Sequence, residues 1–246
     1  MLEQLIELRR RMIRVLIFFA LLFGSYFYFA KDLFHWVVSP LINALPAAQG
    51  SLIATQVTAP VLTPIALASN LALLSVTPFF LFQLWCFIAP GLYRNEREKI
   101  KAAIISSLSL FMLGVLFCFY IVLPFMFQFF IQAVPEGVKM MPDISNALDF
   151  ITRMLIIFGI CFQVPLICLV LVQLEWIEIK HLILVRPYII VLAFTVGMLL
   201  TPPDVLSQIL LAVPLCLLYE LGIVLCRWRN PRRPQKTKPL ERETLH

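Results

Sequence analysis

Charged residues are scarce in this chain: Asp, Glu, Lys and Arg make up 14% of its 246 residues, where an ordinary soluble domain carries about 25%. A globule of this length hides its apolar residues in one core under a polar shell, and so few charges cannot make that shell. Histidine and glycine are sparse as well. His35, His181 and His246 fall at the edges of apolar stretches or in the tail, glycine occurs 8 times, and no HExxH, GxSxG or Walker-type glycine loop is present. Metal hydrolases and intramembrane proteases are built on such groups, so the chain is expected to be no enzyme and to hold no cofactor or metal. Cys86, Cys118, Cys161, Cys168, Cys216 and Cys226 all sit in apolar stretches without a CxxC pair. They read as small buried hydrophobes and not as a disulfide framework or metal site.

What abounds is apolar surface, 61% of residues with a mean hydropathy of +0.92, so lipid is the expected solvent. Crossing about 30 Å of hydrocarbon takes roughly 17–25 helical residues. Six spans are expected on that basis: Val15 to Ala30, about Ile65 to Ile88, Ala102 to about Phe130, about Phe150 to Leu174, Pro187 to Leu200, and Val205 to Cys226. The first resembles a signal-peptide core but has no small-x-small cleavage site before Lys31, which makes it an uncleaved helix. From Leu33 to Tyr93 there is no charge, yet Pro40, Pro46, Pro60 and Pro64 interrupt the first half. Proline breaks the helical ladder and restricts the residue before it, so this part is expected to form a structured, Pro-rich external cap. The expectation is an all-α membrane domain over 1–230, followed by a disordered basic cytoplasmic tail over 231–246.

The net charge is +6, and position explains it. Four Lys or Arg precede the first span, four lie in the second loop, two in the fourth and seven in the tail, which is 17 of the 20. The positive-inside rule then puts both termini in the cytoplasm. The basic excess is a topology signal and calls for no nucleic-acid partner.

Polar groups on this scaffold are few. Residues 2–14 put Leu2, Leu5, Ile6, Met12 and Ile13 on one helical side and Glu3, Glu7, Arg10 and Arg14 on the other, the pattern of a helix lying in the membrane interface. Glu7 either pairs with Arg10 or Arg11 or stands open to a cationic ligand. In the second loop, Asn95 followed by Glu98 is a helix-start pattern, which accounts for Glu96 and Glu98 without a ligand. Gln163 stands mid-span two residues before Pro165, whose ring frees the carbonyl at Cys161. Interhelical glue is the plain alternative for it. Arg153, four residues after Asp149, is expected to pair with it, and Glu220 to reach toward the cytoplasmic interface. The last two spans look short and join through Thr201-Pro202-Pro203-Asp204. Short or interrupted spans also mark substrate sites of secondary transporters, so a proton-coupled transporter of small solutes is the alternative. It predicts an internal repeat, and the loop 33–64 has no counterpart in the second half.

Four segments in register carry a family resemblance: Leu5-Ile6-Glu7-Leu8-Arg9-Arg10-Arg11; Ser39-Pro40-Leu41; Gln83 to Tyr93 with Glu96-Arg97; and Gly197-Met198-Leu199-Leu200-Thr201-Pro202-Pro203-Asp204. From about Leu2 to Arg227 the chain resembles the TatC family, the polytopic core of the twin-arginine protein translocase. The resemblance implies a concave, glove-like bundle in the bacterial inner membrane. It implies a receptor for twin-arginine signal peptides on folded cargo, working in a larger complex with further copies and with single-span partner subunits of TatA/TatB type. It maps the arginine-binding carboxylates to Glu7 and Glu96, with Arg9, Arg11 and Phe87 shaping the site and Pro40 in the external cap. It maps partner-helix docking to Met198, Thr201, Asp204 and Gln208. A guanidinium is a planar fork matched to carboxylates, so two of them can tell Arg-Arg from Lys-Lys. At the Gln163 position the family carries Glu or Gln, and this chain has the uncharged form. Gln4 replaces a His frequent in the first motif, and Arg153 departs from the pattern.

Overall fold

The computed structural model describes residues 2–44, 52–55, 57–92, 97–135, 141–174, 176–200 and 205–229. They fold into helices α1 (Leu2–Tyr28), α2 (Ala30–Ala44), α3 (Ala59–Leu92), α4 (Arg97–Phe117), α5 (Leu123–Gln132), α6 (Ile144–Cys161), α7 (Val164–Gln173), α8 (Ile179–Leu200) and α9 (Val205–Arg229). A π-helical turn, Cys118–Val122, joins α4 to α5. Among the described residues, six stretches are long and apolar enough to cross a membrane: Ile6–Tyr28, Ala59–Phe87, Lys101–Gln132, Ile144–Gln173, Ile179–Leu200 and Gln208–Arg229. All-helical structure is what a lipid solvent demands, because a helix satisfies its own backbone polar groups where no water can.

The prolines decide where the expected boundaries shift. Pro60 occupies the first turn of α3, where the missing N–H is one the helix leaves unpaired anyway, so α3 starts at Ala59, earlier than expected. Pro40 lies inside α2, so the cap region contains a helix through its first proline. The helix folds back onto the bundle, burying Val37, Val38, Pro40 and Leu41, and Trp36 stacks on Phe119 at 5.0 Å. Pro187 does not open the fifth span but sits within α8, whose 22 residues give about 33 Å of helix at 1.5 Å per residue. The expected interfacial segment 2–14 is likewise no separate element, since α1 runs unbroken from Leu2 to Tyr28. Pro124 and Pro165 stand at helix restarts, after the π turn and after the two-residue break at Phe162-Gln163.

The main core is built from α2, α3, the π turn, α5 and α6, joined by residues of α8 and α9. Phe158, Leu123, Met126, Ile151 and Leu211 are fully buried there. A second cluster, Cys168, Tyr219, Ile223 and Cys226 with Leu182, joins α7 to the α8–α9 hairpin. By contrast no described side chain of α1 is buried, and α1 packs chiefly along α3, with the Phe18 and Phe79 rings 4.8 Å apart and Tyr26 hydrogen-bonded to Ser75 at 2.8 Å. Helices α4 and α6 cross closely at two glycines. A Cβ on Gly114 would lie 2.8 Å from the Phe162 ring and 2.9 Å from the Phe158 carbonyl oxygen, and one on Gly159 would lie 2.6 Å from the Phe111 ring.

At the end of the bundle away from both termini, Asp143 ties the α2–α3 connection to α6. Its Oδ1 caps α6 by accepting from the Ser145 and Asn146 N–H groups at 2.9 and 3.2 Å. Its Oδ2 accepts from the Thr55 hydroxyl and from the Thr55 N–H at 3.0 Å. Beside it Ile53 donates to the Pro142 carbonyl and accepts from the Ile144 N–H, at 3.1 and 3.0 Å. The Thr55 hydroxyl first, then the backbone donors, pull the Asp143 carboxyl down to about 2.

Gly114→Ala is expected to lower stability by about 1–3 kcal/mol through overpacking, whereas Gly24→Ala, with no atom within 4 Å of its Cβ, leaves it unchanged; thermal unfolding of the purified protein in detergent compares the two. Because the folded carboxyl of Asp143 titrates below its unfolded value, its contribution is complete above about pH 4 and is lost as pH falls toward 2. Wild type is therefore expected to lose more of its melting temperature than Asp143→Ala over that window.

Candidate functional site

The described residues among those singled out in the sequence fall at the two ends of the bundle and at one buried point between them. At the end bearing both termini, the first turns of α1 lie against the last turns of α3. Arg11 makes the junction. Its Nε and Nη2 both donate to Glu7 Oε1, at 3.1 and 2.5 Å, across one helical turn. Its Nη1 donates to the Gln83 carbonyl at 3.3 Å and to Gln83 Oε1 at 3.2 Å, and Nη2 donates to the Cys86 carbonyl at 3.2 Å. The Arg11 side chain is 16% exposed and that of Glu7 51%. Of the two pairings open in the sequence, Glu7 thus takes Arg11, while Arg9 and Arg10 point to the surface. Phe87 is half-buried in the same last turns of α3. Asn95 and Glu96 lie outside the described residues, in the connection between Leu92 and Arg97.

On another side of α3 a cavity of about 250 Å³ opens between Leu81, Leu84 and Trp85 and the facing Gln163, Ile167, Leu171 and Leu174, with Trp176 at one end. Gln163 is buried, and its amide is paired with α4 through one acceptor and one donor: Ser107 Oγ donates to Oε1 at 2.8 Å and Nε2 donates to the Ser107 carbonyl at 2.9 Å. The helix break before Pro165 lets the side chain turn inward. Gln163 is therefore helix-to-helix glue in this state. Ser107, 56 residues away in sequence, carries no pattern that reveals the pairing.

At the far end, α8 and α9 approach closely enough that a Cβ on Gly197 would meet the Gln208 backbone at 3.5 Å. Met198 is exposed and Gln208 half-buried; Thr201 and Asp204 lie outside the described residues. Pro40 is buried within α2. Four further polar contacts tie the bundle together. Asp149 accepts from Arg153 and from Asn70 of α3, each at 3.3 Å, as the four-residue spacing led one to expect for Arg153. Glu220 pairs with Arg186 of α8 at 2.6 Å, and Tyr219 donates to the Leu182 carbonyl at 2.7 Å. A carboxylate two turns inside a membrane helix is stabilised by a guanidinium on the adjacent helix. Among the described residues no cluster of His, Cys, Asp or Glu could hold a metal ion.

Residues 3–214 match the family described as Sec-independent protein translocase protein (TatC). The chain is 44% identical over 232 residues to the Sec-independent protein translocase protein TatC of Haemophilus influenzae, covering 94% of this chain and 90% of that one. It is 42% identical over 229 residues to the protein of the same name from Escherichia coli, covering 93% and 88%. Its fold superposes on a crystal structure of a twin-arginine translocase receptor, TatC, with a TM-score of 0.82 and 33% identity, over 92% of this chain and 98% of that one.

Gln163→Leu is expected to destabilise the bundle by about 1–3 kcal/mol by stranding the Ser107 hydroxyl. Ser107→Ala combined with it costs less than the two single changes summed, which unfolding of the four proteins in detergent measures; strict additivity would contradict the pairing.

Proposed function

The chain belongs to the TatC family of Sec-independent protein translocase proteins, and we propose that in it Glu7 and Glu96 receive the paired arginines of an export signal. As a family member it is a multi-pass membrane protein and a non-enzymatic component of the translocase. The relatives' shared name supports this activity and not the alternative secondary transporter, which is set aside.

The observation that carries the proposal is the half-exposed Glu7 carboxylate, anchored through Arg11 to the α3 turns that lead into residues 93–96. Only Oε1 is taken by Arg11, and a carboxylate can accept on both oxygens. A guanidinium entering from solvent would use the second oxygen, and a neighbouring carboxylate at Glu96 would serve the next arginine. Fork-shaped, charge-assisted hydrogen bonds of this kind favour arginine over the point charge of lysine. Arg9 and Phe87 border the same surface. The cation count supports a cytoplasmic location for this end, with both termini inside and the chain in the bacterial inner membrane.

The exposed Met198 with Gln208, together with Thr201 and Asp204 in the intervening sequence, would dock the single-span helices of TatA/TatB-type partners at the other end. The paired Gln163 lies in the wall of an apolar cavity beside α3, a polar point in the membrane interior open to signal peptide or partner helix. Pro40, within the buried face of α2, would stiffen the external cap.

A paired-arginine peptide is expected to crosslink to a photoreactive residue placed at position 96 in native membranes, and Glu96→Lys to reduce peptide capture at least tenfold. Equal capture of a Lys-Lys peptide by native and charge-reversed protein would sink the arginine-fork reading.

A further inference from the structure

Arg11 is an unusual arginine because all of its donors are spent inside the chain. A guanidinium offers five N–H groups, and here they make five contacts on four acceptor atoms: one on Nε and one on Nη2 meet Glu7 Oε1, two on Nη1 meet the Gln83 carbonyl and Gln83 Oε1, and the other on Nη2 meets the Cys86 carbonyl. A group this fully bonded, with a side chain 16% exposed, has nothing left to offer a ligand. It acts as a strut between the two helices. The Gln83 side chain is the part of the strut that a substitution can remove, since the other two α3 acceptors are backbone carbonyls. Gln83 is 7% exposed and faces Arg11, while its neighbours Leu81, Leu84 and Trp85 line the cavity on another side of α3.

We infer that Gln83 is a positioning residue of the receptor site: it holds the Arg11 guanidinium, which holds Glu7 by one oxygen and leaves the other turned to solvent. This rests on the proposal that Glu7 binds an incoming arginine. Loss of the Gln83 acceptor frees Nη1, and the cheapest new acceptor within reach of a freed N–H is the second oxygen of Glu7, the one the ligand needs. Gln83 thereby keeps an internal arginine from competing with the external one. Lysine at position 11 could not do the same work, because three donors on one nitrogen cannot span a carboxylate and three acceptors on a facing helix.

The test is equilibrium binding of a peptide with consecutive arginines, and of its Lys-Lys counterpart, to full-length protein in native membrane vesicles. Gln83→Leu and Arg11→Lys are each expected to weaken the Arg-Arg peptide about tenfold and to shrink its advantage over Lys-Lys. Gln83→Glu, which keeps an acceptor in place, stays within about threefold of wild type. In a Glu7→Gln background Gln83→Leu costs nothing further, because both changes act on one carboxylate. A further independent tenfold loss in that background, wild-type binding by Gln83→Leu, or an equal loss for Gln83→Glu each overturns the inference. Failure of wild type itself to prefer Arg-Arg overturns instead the receptor reading beneath it. Melting temperatures measured on the same vesicles tell a folding defect from a binding one, and Arg11→Lys and Gln83→Glu keep the question answerable where Gln83→Leu unfolds.

Discussion

A polar group inside hydrocarbon has no water to turn to, and every polar contact within the spans of this chain reflects that constraint. The backbone answers it by coiling into helices. Side chains answer it in two ways. Thr77, Thr152 and Thr195 fold back onto carbonyls four residues earlier in their own helices, at 2.7–2.8 Å. Gln163, Arg186, Tyr219 and Arg11 find partners on neighbouring helices. Because apolar faces gain little by meeting one another in lipid, these few directional pairs and the close glycine crossing of α4 and α6 set which helices meet and at what depth.

The same constraint sorts the bundle by how firmly its parts are held. Helices α5 and α6 with the π turn form the buried centre, with α2 folded onto it, and α8 and α9 attach both to this core and, through a second cluster, to α7. Helix α1 has no buried side chain among those described and depends on α3, through the Phe18–Phe79 ring contact, the Tyr26–Ser75 hydrogen bond and the Arg11 junction near its start. The proposed receptor carboxylate therefore sits on the least buried helix, and one arginine gives it a defined position. Site geometry on such a helix comes from polar anchoring, since packing supplies little of it.

Much of this was legible in the chain before any coordinates. Six apolar stretches gave six long helices, and the spacing of Asp149 and Arg153 gave their pairing, because four residues make one helical turn and hydropathy is a local property. A proline does not by itself mark a helix boundary in this chain. Pro60 begins a helix, and Pro40 and Pro187 sit within one, because a proline's effect depends on whether the lost hydrogen bond had a partner to lose. Glu220 was placed by its distance to the tail, and its actual partner, Arg186, lies 34 residues away. Ser107 and Gln83 went unassigned for the same reason: a serine or glutamine in an apolar run declares that it needs a partner but not which one.

By itself, then, the sequence determined the solvent, the number of spans, the distribution of cations between the two ends and, through four motifs in register, the family. These follow from composition and from interactions within a turn or two of helix. Only the tertiary structure decided that Arg11 faces inward to Gln83 and Cys86 while holding Glu7 by one oxygen, that Gln163 is paired with Ser107, and that Arg186 neutralises Glu220. Each of those joins two helices distant in sequence, and the choice of partner depends on how the helices pack, since the hydrogen-bonding capacity written in the residues is the same whichever neighbour comes within 3 Å.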